Sequence, residues 1–110
     1  MKMESTRKFY GKTIIDSRDS DELDLGYQME LHYYKTKNSL VVSEQSKLYG
    51  IEVEKRERKG EKIHIEKELM NNITNQEKNI EKVLTILLKN KVTPIGVPDV
   101  MQELIQRNIV

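Results

Sequence analysis

The spacing of apolar residues along this chain changes once, from two to between three and four, just before Thr74. A period of two lays apolar side chains on one face of a strand; the longer period lays them along one side of a helix. A chain with this switch is neither all-helical nor all-β. It has to build a sheet first and then cover it with helices.

Ahead of the switch, Tyr27, Met29, Leu31 and Tyr33 alternate with Gln28, Glu30 and His32. Lys35-Thr36-Lys37-Asn38 predicts a turn, and Leu40, Val41 and Val42 a short strand. Tyr49, Ile51 and Val53 alternate with Gly50, Glu52 and Glu54. Lys59-Gly60 reads as a turn because glycine takes a positive φ without strain. Beyond it, Ile63, Ile65 and Leu69 are predicted to face the core, with His64, Glu66 and Glu68 outward. The segment 7–15, through Phe9 to Ile15, offers a further strand.

After the switch, Thr74-Asn75-Gln76-Glu77 reads as a capping box, with Glu77 reaching back to the Thr74 amide. Ile80, Val83, Leu84, Leu87 and Leu88 then line one side of a helix. Pro94 marks its break. Pro98 suits the first turn of a second helix, in which Val100, Met101, Leu104 and Ile105 form the apolar stripe and Glu103 pairs with Arg107. The expected fold is α+β: an antiparallel four- to five-stranded meander sheet with one face covered by two C-terminal helices. Residues 1–24 read as an N-terminal arm and acidic linker, and 25–110 as a single α+β domain.

Composition agrees with a single small domain. The 110 residues include 30 of Leu, Ile, Val and Phe, enough for one core. No cysteine is present, which excludes a disulfide framework, a Cys-ligated zinc and a thiol enzyme. Charge nearly cancels, with 19 basic and 18 acidic residues, so the chain is not a uniformly basic nucleic-acid binder. The charges are nonetheless zoned: residues 1–12 and 55–62 are basic and residues 16–24 acidic. Alanine is absent while Ile, Lys, Asn and Glu are frequent, a signature of an AT-rich bacterial genome. The opening residues lack the apolar stretch of a secretory signal, and the most apolar run, Val83 to Leu88, is far too short for a bilayer. A cytoplasmic protein without membrane contact is expected.

Catalytic patterns are missing. The five glycines lie at least ten residues apart, so no phosphate-cradling loop is present, and no serine sits in a Gly-x-Ser-x-Gly elbow. The expectation is a protein that is not an enzyme and uses no cofactor. His32 and His64, with Glu30 and Glu66 beside them, raise a metal reading. In a simple meander, however, their strands lie three spacings apart, roughly 14 Å, too far for one zinc ion. Asp19, Asp21 and Glu30 match positions of a calcium loop, but Leu23 and Asp24 occupy places that need a ligand and a glycine. No metal is expected.

Two surface features remain. Lys55, Arg56, Arg58 and Lys59 form a basic cluster, with Glu57 among them, at a predicted hairpin tip. Tyr34 lies on the polar face of its strand. These five residues are the candidate interaction surface. They favour an unknown protein partner or self-association. The alternative is nucleic-acid binding through the basic arm and the 55–62 hairpin.

Tyr49-Gly50-Ile51-Glu52-Val53, with Asn90-Lys91-Val92-Thr93-Pro94 and Asp99-Val100, resembles a family of small uncharacterised proteins. These come from low-GC Gram-positive, clostridial-type bacteria and are known as a domain of unknown function. The resemblance covers about residues 25–106. It implies a Y-G-I-E-[IV] strand, a helix, a V-T-P turn and a second helix containing Asp-Val. Gly96-Val97-Pro98 departs from that pattern. The resemblance brings no activity, ligand or catalytic residue.

Overall fold

The computed structural model describes residues 5–16, 28–38 and 48–110. Its elements are β1 (Ser5–Asp16), β2 (Gln28–Asn38), β3 (Tyr49–Lys59) and β4 (Lys62–Thr74), followed by α1 (Glu77–Lys89), a 3-10 turn (Pro94–Gly96) and α2 (Val97–Gln106). The strands form one antiparallel sheet in the order β1-β2-β3-β4. This is the α+β meander with two C-terminal helices that the change of period requires. The segment expected to add a strand is β1, which pairs with β2 over its whole length. The short strand expected at 40–42 and the acidic linker with its calcium-like spacing lie outside the described residues.

The core is made where the two periods meet. Leu31, Tyr33, Ile51 and Val53 project from the sheet onto Ile80, Val83, Leu84 and Leu87 of α1 and Val97 and Met101 of α2. Tyr33 satisfies its buried hydroxyl by donating to the Val92 carbonyl at 2.8 Å, and burial pushes its phenol pKa up. Both helices end on a residue with positive φ, Lys91 and Asn108. In each, the next amide reaches back to the last turn, Val92 to Leu87 and Ile109 to Leu104. Glu103 and Arg107 form the expected pair at 2.7 Å.

Four local expectations are corrected. Lys35-Thr36-Lys37-Asn38 is strand, because β1 and β3 both pair with it and bury Thr36 and Asn38. The Thr74 hydroxyl accepts the Gln76 amide at 3.2 Å, but Glu77 does not complete a capping box. Its carboxylate instead takes Lys35 at 2.6 Å and the Tyr49 hydroxyl at 3.2 Å, which together hold it below the usual carboxylate range. Ile105 is exposed on α2 rather than part of its buried stripe.

The fourth correction has the widest consequence. Ile63, Ile65 and Leu69 face away from the helices. The β3–β4 hairpin turns through Gly60, at φ 63°, and Glu61, so Lys59 pairs with Lys62 and Arg58 with Ile63. Odd-numbered residues of β4 therefore share a face with even-numbered residues of β3. A one-residue difference in register moves every side chain to the other face.

Gly50 anchors the far end of β4. A Cβ there would stand 2.2 Å from the Met70 carbonyl oxygen and 2.9 Å from the Asn71 Cα. The register shifts at this point, with Tyr49 opposite Thr74 and Ile51 opposite Met70. Asn72 takes a φ of 59° within the irregularity, and its side-chain oxygen accepts from Asn38 Nδ2 at 2.6 Å.

Candidate functional site

The sheet face opposite the helices is open among the described residues. Register arranges it in rows: Phe9, Tyr34, Glu52 and Leu69; Lys12, His32, Glu54 and Lys67; Ile14, Glu30, Arg56 and Ile65. Its centre is ionic. Glu54 is only 3% exposed, and its carboxylate meets Arg56, Lys67 at 3.6 Å and Arg7 at 3.8 Å. Burial alone would raise its pKa, but the Arg56 hydrogen bond and the Arg56 and Lys67 charges outweigh that and hold it low. Glu52 takes the other contact of Arg7 and raises the guanidinium further.

Around this centre lie apolar side chains. Phe9, Ile63, Ile65 and Leu69 are 53%, 57%, 55% and 50% exposed. All four point to the open face, because each registers with an even-numbered residue of β2 or β3. A hollow beside them is lined by Gln28, Glu30, Arg56, Arg58 and Ile63. Single exposed apolar residues are ordinary on proteins; a group of them on one uncovered sheet face is not.

The residues singled out from sequence are dispersed. Tyr34 is on the open face but only 8% exposed. Arg7 lies over its ring at 4.0 Å, and Phe9 meets it edge-on at 5.8 Å between centroids. Arg56 and Arg58 share that face. Lys55 points to the helix side, where it pairs with Glu66 at 3.0 Å and Glu57 at 3.8 Å. Lys59 closes β3 at the hairpin. The basic cluster is thus divided between two faces.

The histidines are also separated. Their strands are two positions apart in the sheet, not three, since only β3 lies between them. His32 faces the open side, 3.4 Å from Glu30, while His64 registers with Glu57 on the helix side. Among the described residues, no group of three His, Cys, Asp or Glu is placed to hold a metal ion. No helix among them is long and apolar enough to cross a membrane.

Arg7, Glu52, Glu54, Ile63, Ile65 and Leu69 were not visible as a surface from sequence. The period-two spacing of Ile63 and Ile65 did signal a common face. Which face depended on the hairpin register.

The fold and this face define a small meander-and-helices module, ion-paired at the centre of its open surface and apolar around it. The chain belongs to a family of unknown function (DUF6514), whose model matches residues 12–107. The match begins inside β1 and so extends beyond the 25–106 of the resemblance to take in the C-terminal part of that strand, residues 12–16. No curated protein and no solved structure matches the chain.

Proposed function

We propose that this protein is a non-enzymatic interaction module that works through protein contacts made by the open face of its sheet and the β4 edge. The observation that carries this reading is the grouping of Phe9, Ile63, Ile65 and Leu69, half-exposed, on the face without a helix. Interfaces combine exposed apolar side chains with hydrogen-bonded polar groups, and this face supplies both. Its central charges, Arg7, Glu52, Glu54, Arg56 and Lys67, are already paired internally, so binding would not strand them. The composition supports a low-GC Gram-positive source, and the absence of cysteine suits a reducing cytoplasm.

Nucleic-acid binding has less support. Lys55 and Arg56 point to opposite faces, and Arg7, Lys55 and Arg56 already hold carboxylates. A phosphate surface needs its cations gathered and free to replace counterions.

Sedimentation and affinity capture with purified partners test the proposal. The wild type should associate, and Ile65→Glu with Leu69→Glu should abolish association while leaving the circular dichroism unchanged. A wild-type chain that stays monomeric and retains no partner overturns it.

A further inference from the structure

Resting on that reading, the structure assigns the partner at one of its edges: a second copy of this chain, joined through β4 to β4. Pairing about a two-fold axis normal to the sheet places residue i of one copy opposite residue 128 − i of the other, with His64 facing His64.

β4 is an outer strand, and from Lys62 to Met70 it pairs with β3 without a register shift. Its other side is therefore a regular row of backbone donors and acceptors, the usual template for strand addition. Two identical outer strands related by such an axis must run antiparallel, and each face of one sheet continues into the same face of the other. Only residues of equal parity can then stand opposite each other, which leaves a small set of registers.

Side-chain chemistry selects among these registers. Centred on His64, Ile63 faces Ile65 twice on the open face, and Lys62 faces Glu66 twice on the helix side. Just outside the strand, Glu61 faces Lys67. Every one of these pairs joins like with like in polarity and opposite with opposite in charge. Centring on Ile65 sets Ile63 against Lys67, and centring on Glu66 or Lys67 sets glutamate against glutamate. Glu66 already meets Lys55 of its own chain at 3.0 Å, so Lys62 of the second copy would complete a cation–anion–cation row. Ile63 and Ile65, each more than half exposed in one chain, would meet their counterparts at the seam. The result is one eight-stranded sheet whose open faces are continuous.

β1 lacks these properties. Between Thr6 and Ile15 it carries Arg7, Lys8 and Lys12 with no acid, and its register shifts at Tyr10. Within that stretch no self-pairing of β1 can match opposite charges.

Charge exchange tests both the partner and the register. Light scattering and sedimentation should show a dimer for the wild type. Lys62→Glu creates two glutamate–glutamate oppositions per dimer and should weaken association roughly tenfold or more. Adding Glu66→Lys should restore it; adding Glu68→Lys instead should not. Because the chain has no cysteine, His64→Cys introduces a lone thiol that should form a covalent dimer on oxidation, since directly opposed strand residues lie within disulfide range. Glu68→Cys should not, being roughly 27 Å from its mate at about 3.4 Å per residue. A wild type that remains monomeric, a dimer indifferent to Lys62→Glu, or rescue by Glu68→Lys overturns this assignment. If the monomer still binds a purified partner through Ile65 and Leu69, the assignment alone fails. If it binds none, the wider reading fails as well.

Discussion

β1 and β4 bound the same sheet, yet β1 is irregular, cationic and fastened to a helix, while β4 runs regularly for most of its length with balanced charge. In β1, Tyr10 interrupts the pairing between Phe9 and Gly11, and its hydroxyl reaches α1, 2.5 Å from the Thr85 hydroxyl. Gly11 lets Leu88 of α1 come close above the strand. Lys91, beyond the end of α1, donates to the Ile14 carbonyl at 3.2 Å. Bulges and like charges are the usual protections of an edge strand. β4 has its irregularity only near Asn72, beyond the reach of the proposed pairing. One edge of the sheet carries these protections, and the proposed pairing uses the other.

The strongest way to break this contrast is at the anchor of β4. Gly50→Ala places a methyl group into the Met70 backbone, so about 3 kcal/mol of stability should be lost in denaturant unfolding. The parallel change on the β1 side, Gly11→Ala, meets only the tip of Leu88 at 3.0 Å and should cost well under half as much. Equal losses at the two glycines would mean that the two edges are held alike.

Next in size is the ionic centre between the edges. Glu54→Ala leaves Arg7, Arg56 and Lys67 without their shared carboxylate and should cost about 2 kcal/mol. Glu54 has a lowered pKa in the folded state. Its stabilisation is therefore complete above the unfolded-state value of about 4.3 and is lost as pH falls through the lower folded value. The acid limb of a stability–pH curve should flatten in Glu54→Ala. An unchanged limb would show that Glu54 is not among the groups whose protonation unfolds the protein.

A smaller effect sharpens the β1 side. Tyr10→Phe removes the hydroxyl that ties the bulge to Thr85 and should cost about 1 kcal/mol, read from thermal unfolding. Smallest of all is Ile63→Lys, because Ile63 is 57% exposed and lies outside the buried core of the single chain. Monomer stability should change by less than about 0.5 kcal/mol while association is lost. A large loss of monomer stability would instead show that Ile63 belongs to the chain's own core.

Much of this architecture was legible because periodicity reports local geometry directly. The alternation at Leu31, Tyr33, Ile51 and Val53, and the helical spacing at Ile80, Val83, Leu84 and Leu87, each select one buried face, and those faces meet. The open face was not legible, for two physical reasons. Alternation says that Ile63 and Ile65 share a side but not which side, and a two-residue turn at Gly60-Glu61 decided that. The contacts that build the centre, Arg7 with Glu52 and Arg7 over Tyr34, join β1 to strands far along the chain, and no local pattern encodes them. Glu77 shows the same effect on a smaller scale. Its spacing from Thr74 fits a capping box, but Lys35 and Tyr49 offer its carboxylate stronger partners.

Amide hydrogen exchange at two protein concentrations, one well above and one well below the dissociation constant, compares the edges in a single measurement. Outward-facing amides between Lys62 and Glu66 should be protected at the high concentration and exchange freely on dilution, while those of β1 should exchange alike at both. Concentration-independent exchange along β4, or protection that appears on β1 instead, would contradict the assignment of β4 as the pairing edge.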